Sequence, residues 1–132
     1  MKNFIDLLTE EVSETPNEGF HTDIETKTIE NKNFREVLFT ANNIQLVLMS
    51  LKPNEDIGEE IHSDTDQFIR IDRGFGKALI DESEYDLKDG SAIIIPAGIK
   101  HNITAGGDGI RLYTIYSPPH HEEGEVVENK GD

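Results

Sequence analysis

The chain has 132 residues, no cysteine, and a formal net charge of -15 from 27 acidic and 12 basic residues. This length suits one domain with a real hydrophobic core, and the absence of cysteine excludes disulfides and thiolate metal ligands. The negative charge opposes nucleic acid and anionic membranes as partners. Because no apolar run is long enough to span a bilayer and the N-terminus is too acidic for a signal peptide, we expect a soluble cytoplasmic protein.

The first predicted element is a short amphipathic helix over residues 2–12. Four apolar residues fall at helical spacing there: Phe4, Leu7, Leu8 and Val12. The segment SETPNEG, residues 13–19, contains the residues that would end such a helix. We expect the helix to pack on the outside of the domain or on a neighbouring subunit.

Short strands are predicted from about Thr22 onward. The runs are rich in β-branched and aromatic residues and are separated by turn sequences: FREVLFT, NIQLVLMSL, QFIRIDRG, GKALID, SAIIIPAG and RLYTIYSPP. Many short strands at close spacing indicate an antiparallel β-sandwich or barrel. No long amphipathic helix interrupts them, which disfavours a parallel βαβ sheet.

Several polar residues stand in the middle of this pattern of apolar strands. Glu60 and His62 are two positions apart, so in a strand both side chains would point to the same face. Gln67 follows five residues later, and His101 follows the run IIIPAGIK. Carboxylate, amide and imidazole groups are donors that divalent metals accept.

The second half of the chain matches a known family motif. Gly90 is followed after five residues by Pro96, then by Gly98, and after two more residues by His101. This is the spacing of the second motif of the cupin superfamily, G-x5-P-x-G-x2-H-x3-N, apart from Ala105 at the final asparagine. The chain therefore resembles the cupin superfamily.

The first cupin motif, G-x5-H-x-H-x4-E-x6-G, fits in spacing more than in residue type. With its last glycine at Gly74, Gln67 stands in the glutamate place and His62 in the second histidine place. Glu60 then replaces the first histidine, and Asn54 replaces the opening glycine. Glu60 and Gln67 are thus substituted ligands.

A different register would pair His62 with Asp64 instead of Glu60. That choice leaves only two residues before Gln67 and breaks the family spacing. We therefore prefer Glu60.

The resemblance covers roughly residues 34–121 and implies an all-β fold, the cupin double-stranded β-helix, which is a jelly-roll-like antiparallel barrel. With the predicted helix, this divides the chain into an N-terminal helix and linker (1–20), the barrel (21–121) and an acidic C-terminal tail (122–132).

The resemblance also implies a metal site formed by Glu60, His62, Gln67 and His101. In such a barrel, inward-facing residues of one strand meet donors from later strands, at roughly 2.0–2.3 Å from the ion. This mixed nitrogen and oxygen set suits Mn, Fe, Co, Ni or Zn and does not choose among them.

Among cupins, the chain looks most like small bacterial single-domain members of the mannose-6-phosphate isomerase-like group. That likeness implies a metal-dependent protein that acts on a small oxygenated molecule, such as a sugar, hydroxy acid or keto acid, by an isomerase-like reaction. The alternatives are a metal-dependent dioxygenase and a non-catalytic binding or sensing module.

An enzyme would need a proton-transfer group beyond the metal ligands. The candidates are Tyr113, Tyr116 and Arg70, although strand alternation from Gln67 sends Arg70 outward. We expect His120 and His121 to be a solvated pair in the tail, and His21 has no assigned role.

A homodimer is also expected. Single-domain cupins commonly pair through their sheets, and the runs FREVLFT and NIQLVLMSL are apolar enough to need cover at an exposed edge.

Overall fold

A computed structural model of the chain describes residues 18–132. The helix predicted over residues 2–12 lies outside the described residues. The described part contains one helix, α1 (Ile24–Glu30), and seven strands: β1 (Arg35–Thr40), β2 (Gln45–Leu51), β3 (Asp66–Ile80), β4 (Ser83–Leu87), β5 (Ala92–Ile95), β6 (His101–Ser117) and β7 (Val126–Val127).

Every strand pair of this sheet is antiparallel, and the long pair β3–β6 is central to it. The strand order is β4-β3-β6-β2-β1-β7, and β5 pairs with β3 beside β4. β5 pairs with the first part of β3, whereas β4 pairs with its last part. The predicted antiparallel all-β fold is confirmed.

The β3–β6 pair bends at a point rich in glycine. Its register shifts between Ile71 and Arg73 and again between Gly74 and Gly76. Gly74 has a φ of 110°, and a Cβ there would lie 2.2 Å from the carbonyl oxygen of Gly109 on the opposite strand. Only glycine permits both this conformation and this close approach of two backbones.

The core lies between the two arms of the bent pair. On β3, Gln67, Ile69 and Ile71 are buried, while the intervening Phe68 and Arg70 are partly exposed, as the strand period of two requires. The outward direction predicted for Arg70 is therefore confirmed. The inward residues of β6, among them Ile103 and Leu112, complete a continuous hydrophobic core.

Helix α1 was not predicted from the sequence. Its seven residues include β-branched Ile and Thr, which do not indicate a helix. Asp23 caps the N-terminus by accepting a hydrogen bond from the Thr26 amide at 3.1 Å. At the other end, Arg111 of β6 donates from Nη1 to the carbonyls of Ile29 and Asn31. Tertiary contacts therefore stabilise a helix of weak intrinsic propensity.

The segment predicted as an acidic tail contains β7, which pairs with Arg35 and Glu36 of β1. Val37 donates to the Glu125 carbonyl at 2.8 Å, and Arg35 forms an ion pair with the Glu125 carboxylate at 3.2 Å. The C-terminal residues therefore return to the sheet.

Within residues 18–132, no helix is long and apolar enough to cross a membrane.

Replacing Gly74 by alanine should reduce the free energy of unfolding strongly, because the new Cβ meets a backbone oxygen that cannot move alone. The control is Gly90→Ala, which has a similar φ of 88° but no atom within 4 Å of the added Cβ. Urea denaturation should show that the Gly74 variant loses at least about 2 kcal/mol more than the control. Equal losses would contradict the close approach at the bend.

Candidate metal centre

Glu60, His62 and His101 converge inside one end of the barrel. Each offers one ligand atom, and these atoms lie within 4.8 Å of one another. Glu60 and His101 are neighbours because their backbones exchange two hydrogen bonds, of 2.9 and 3.0 Å. The first residue of β6 is thereby held beside the carboxylate.

His62 is held from the other side by the turn before β6. Its carbonyl accepts a 2.7 Å hydrogen bond from the amide of Gly98, whose φ of 85° favours glycine. Nε2 of His62 lies 2.9 Å from Oε2 of Glu60, but this contact lacks hydrogen-bond direction. The buried Nε2 therefore has no hydrogen-bond partner among the described residues.

His101 has one ring nitrogen engaged and one available. Nδ1 lies 2.9 Å from the Ile99 carbonyl, which can only accept, so Nδ1 carries the proton. The lone pair is then on Nε2, the arrangement that a metal-binding histidine requires. The rings of His101 and His62 are 5.1 Å apart, centroid to centroid.

Gln67 lies on β3 directly opposite Tyr116 of β6. Its Nε2 donates to Oγ1 of Thr114 at 3.0 Å and to the hydroxyl of Tyr116 at 3.3 Å. Its Oε1 is buried and has no hydrogen-bond partner in the described part of the chain. The amide group is thus oriented with a free oxygen, and its place among the metal ligands stays a prediction.

These residues fit a divalent metal. Leaving a buried polar atom unpaired costs roughly 1–3 kcal/mol, and the site contains two such atoms, Nε2 of His62 and Oε1 of Gln67. The clustered Glu60, His62 and His101 supply both nitrogen and oxygen donors, and the Gln67 oxygen would complete the set expected from the sequence. A bound cation would satisfy both unpaired atoms at once.

Asp64, the residue of the other register, does not join the site. Its side chain is exposed, whereas His62 is 6 % exposed. The structure thus brings Glu60 to the two histidines, as the family spacing predicts.

Only Tyr116, of the three proton-transfer candidates, lies at the site. Its ring is 5.8 Å from that of His62. Tyr113 instead packs near Phe68, with ring centroids 6.2 Å apart, and Arg70 lies 3.8 Å from the carboxylate of Asp72.

His120 and His121, expected to be a solvated pair, stand beside the site. The His120 ring is 4.2 Å from the His62 ring and 5.4 Å from the Tyr116 ring. The side chain of His121 is 14 % exposed, and its Nε2 lies 3.3 Å from the Tyr116 hydroxyl. The acidic residues that follow them in the sequence indicated a solvent-exposed tail. The adjacent pair of histidines was the only feature of the sequence that indicated a binding site there.

Burial controls the ionisation of this cluster. Burial, reinforced by the neighbouring rings of His120 and His101, lowers the pKa of His62 to about 4. The Glu60 carboxylate, with Oε2 2.9 Å from Nε2 of His62, favours the imidazolium, but the effect of burial on the pKa is larger. Burial also raises the pKa of Tyr116, and the negative charge of Glu60 acts in the same direction. At neutral pH the site therefore offers a neutral His62 imidazole and a protonated phenol.

Comparison with known proteins identifies the fold family. The Cupin domain model (Cupin_2) matches residues 47–116. The chain is a cupin. This match includes all four predicted ligands and both strands of the bent β3–β6 pair except the last residue of β6.

Three known proteins resemble this chain over most of its length. It is 43 % identical over 120 residues to the uncharacterized protein YrkC of Bacillus subtilis, covering 86 % of this chain and 64 % of that protein. It is 44 % identical over 115 residues to the uncharacterized protein L612 of Acanthamoeba polyphaga mimivirus, covering 83 % and 72 %. The crystal structure of BH2720 from Bacillus halodurans is 38 % identical, with a TM-score of 0.83 over 89 % of this chain and 94 % of that one.

The histidine beside Tyr116 should make stability depend on pH. Burial, followed by the positive charge of Arg35, lowers the pKa of His121 from 6.5 to about 4. Between these values the unfolded chain binds the proton more readily than the folded chain. The contribution of the neutral His121 to the free energy of unfolding is therefore fully present above pH 6.5 and is lost as pH falls towards 4.

Urea unfolding of metal-free protein tests this. The variant His121→Gln should lose about 1–3 kcal/mol less than wild type on going from about pH 7 to about pH 4. The exposed His21, replaced by glutamine, is the control and should retain the wild-type dependence. Identical pH dependence in wild type and His121→Gln would contradict the assignment.

Proposed function

We propose that this cupin binds one divalent metal ion through Glu60, His62, Gln67 and His101 and uses it to bind a small oxygenated molecule. The observation that carries the proposal is the convergence of a carboxylate and two imidazoles within 4.8 Å. The unpaired buried atoms of His62 and Gln67 support it independently. Mn, Fe, Co, Ni and Zn all suit the donor set.

The charge of the site indicates the ligand class. With Glu60 as the only anionic donor, a divalent ion would retain a formal charge of about +1, and four protein donors would leave about one or two positions free. A molecule that offers an oxygen pair fits this best: a sugar, a hydroxy acid or a keto acid.

The catalytic form of the proposal is an isomerase-like reaction, as the likeness to the mannose-6-phosphate isomerase-like cupins implies. A bound metal would supply polarisation of a substrate carbonyl. Tyr116, kept protonated by burial, would donate a hydrogen bond to a substrate oxygen rather than remove a proton. This favours the second form of the proposal, a metal-dependent binding or sensing module without turnover; a dioxygenase is the third.

Metal content tests the ligand set. Elemental analysis of the purified protein should give about one divalent ion per chain, and the double variant His62→Ala, His101→Ala should have none. Glu60→Ala should weaken metal binding by at least about 10–100-fold, the loss that removing even a hydrogen-bond partner of a metal ligand causes, whereas Asp64→Ala should not. Equal metal content in wild type and the double variant, or a stronger effect of Asp64, would overturn the site.

Thermal denaturation tests the ligand class. Hydroxy acids, keto acids and sugar phosphates should raise the melting temperature of metal-loaded protein and not of stripped protein, because a ligand that binds only the native loaded form stabilises it by mass action. Compounds that produce a shift are then incubated with the protein, and chromatography distinguishes turnover from binding. A panel that shifts neither form, or both alike, would contradict the proposal.

We also propose that the protein is a homodimer. Tyr85 of β4 and Ile94 of β5 are 52 % and 70 % exposed, and β4 ends the strand order. Their side of the barrel is a better interface than β1, whose edge β7 partly covers. Light scattering should give about twice the 14.8 kDa chain mass, reduced by Ile94→Asp and not by Ile44→Asp on the β1–β2 connection. A monomer, or dissociation by the Ile44 variant alone, would contradict this interface.

A further inference from the structure

The His120–His121 dipeptide is fixed beside the metal centre by one buried side chain, Gln45. Oε1 of Gln45 accepts from the amides of His120 and His121 at 3.0 and 2.9 Å. Its Nε2 donates to the His121 carbonyl at 2.8 Å and to Oγ1 of Thr40 at 2.9 Å. One glutamine therefore holds three backbone groups of a segment about 75 residues away in sequence.

Gln45 has no solvent exposure at all. Burying an amide is favourable only if its hydrogen bonds are replaced, and here every one is replaced by the dipeptide or by Thr40. The position and direction of this segment relative to β2 are thereby determined.

The side chain of His121 also holds this segment in place. Its Nε2 lies 3.3 Å from the Tyr116 hydroxyl, which also accepts from Nε2 of Gln67. Its Nδ1 lies 3.6 Å from the carboxylate of Glu125. The segment is thus connected to the predicted ligand Gln67 through one shared phenol.

The His120 side chain, in contrast, is free to bind. It is exposed, and neither ring nitrogen has a hydrogen bond or ion pair with any residue from 18 to 132. Yet its ring meets the His62 ring edge-on at 4.2 Å and stacks on the Tyr116 ring at an angle of 29°. It does not belong to the group of mutually close ligand atoms of Glu60, His62 and His101. Its ring therefore lies beside that group without being a member of it.

We propose that His120 contacts the small molecule bound at the metal, by a hydrogen bond from its imidazole to a ligand oxygen, and that Gln45 is the residue that positions it. This inference rests on the proposed function, because it requires a ligand at the metal. It assigns a binding role to a residue outside the two cupin motifs.

Cobalt and oxalate separate the two proposals. Co²⁺ serves as the probe metal, and oxalate as an anion that offers an oxygen pair; calorimetry measures the affinity for each in turn. His120→Ala should bind oxalate about tenfold more weakly, the loss expected for one hydrogen bond to a charged group, and should bind Co²⁺ within about twofold of wild type. The exposed His21→Ala is the matched control and should change neither affinity.

Variants of Gln45 test the positioning role. Gln45→Leu should reproduce the loss of oxalate affinity, and Gln45→Glu should also lose it, because its second carboxylate oxygen would face the His121 carbonyl without donating to it. Circular dichroism and melting temperature establish that each variant is folded. If the leucine variant does not fold, the glutamate variant and His120→Ala still decide the question.

Acylation by diethyl pyrocarbonate, followed by mass spectrometry, measures directly how accessible the His120 side chain is to the reagent. In the Co²⁺ form His120 should react, addition of oxalate should protect it, and His21 should react in both. In Gln45→Leu the protection by oxalate should be lost.

The outcomes are distinguishable. If Co²⁺ or oxalate fails to bind wild type, the proposed function and this inference both fall. If both bind but His120→Ala retains full oxalate affinity, or His120 stays reactive with oxalate present, only this inference is overturned. Protection by Co²⁺ alone would also overturn it, since His120 would then be a metal ligand.

Discussion

The bend in the β3–β6 pair is the constraint on which the rest of the structure depends. Two strands of 15 and 17 residues stay paired through two register shifts, and Gly74 lets their backbones approach where the pair bends. His101 stands at one end of the pair and Gln67 with Tyr116 at the other. Because the pair folds over the core, residues that are far apart along a ladder both come near His62.

The same barrel determines the protonation states of the side chains at the site. A closed core removes water from His62 and Tyr116, so burial keeps the imidazole neutral and the phenol protonated. Neutral imidazole nitrogens are metal ligands, whereas imidazolium groups are not. Burial thus keeps the imidazole of His62 in the form that can bind a cation, and its buried Nε2 has no hydrogen-bond partner within residues 18–132.

Around this centre, polar residues of the core connect elements that hydrophobic packing alone would not orient. Gln45 links β2 to the C-terminal segment, and Tyr116 links β6 to both Gln67 and His121. Such contacts are directional, so they define one arrangement where apolar side chains would tolerate several. The C-terminal residues therefore belong to the site although they follow the last long strand.

The sequence by itself determined the antiparallel β class, through the period of two in its short runs, and the cluster of Glu60, His62 and His101, through two motif spacings. Both are local regularities, because alternation and turn glycines show which side chains face inward. The tertiary structure alone decided that α1 exists and that the ring of His120 lies against the ring of His62. Those outcomes depend on contacts such as Arg111 with Ile29 and Gln45 with His121, which are 82 and 76 residues apart in sequence. No local pattern specifies such a pair, because closing a long loop is governed by the packing of the whole barrel.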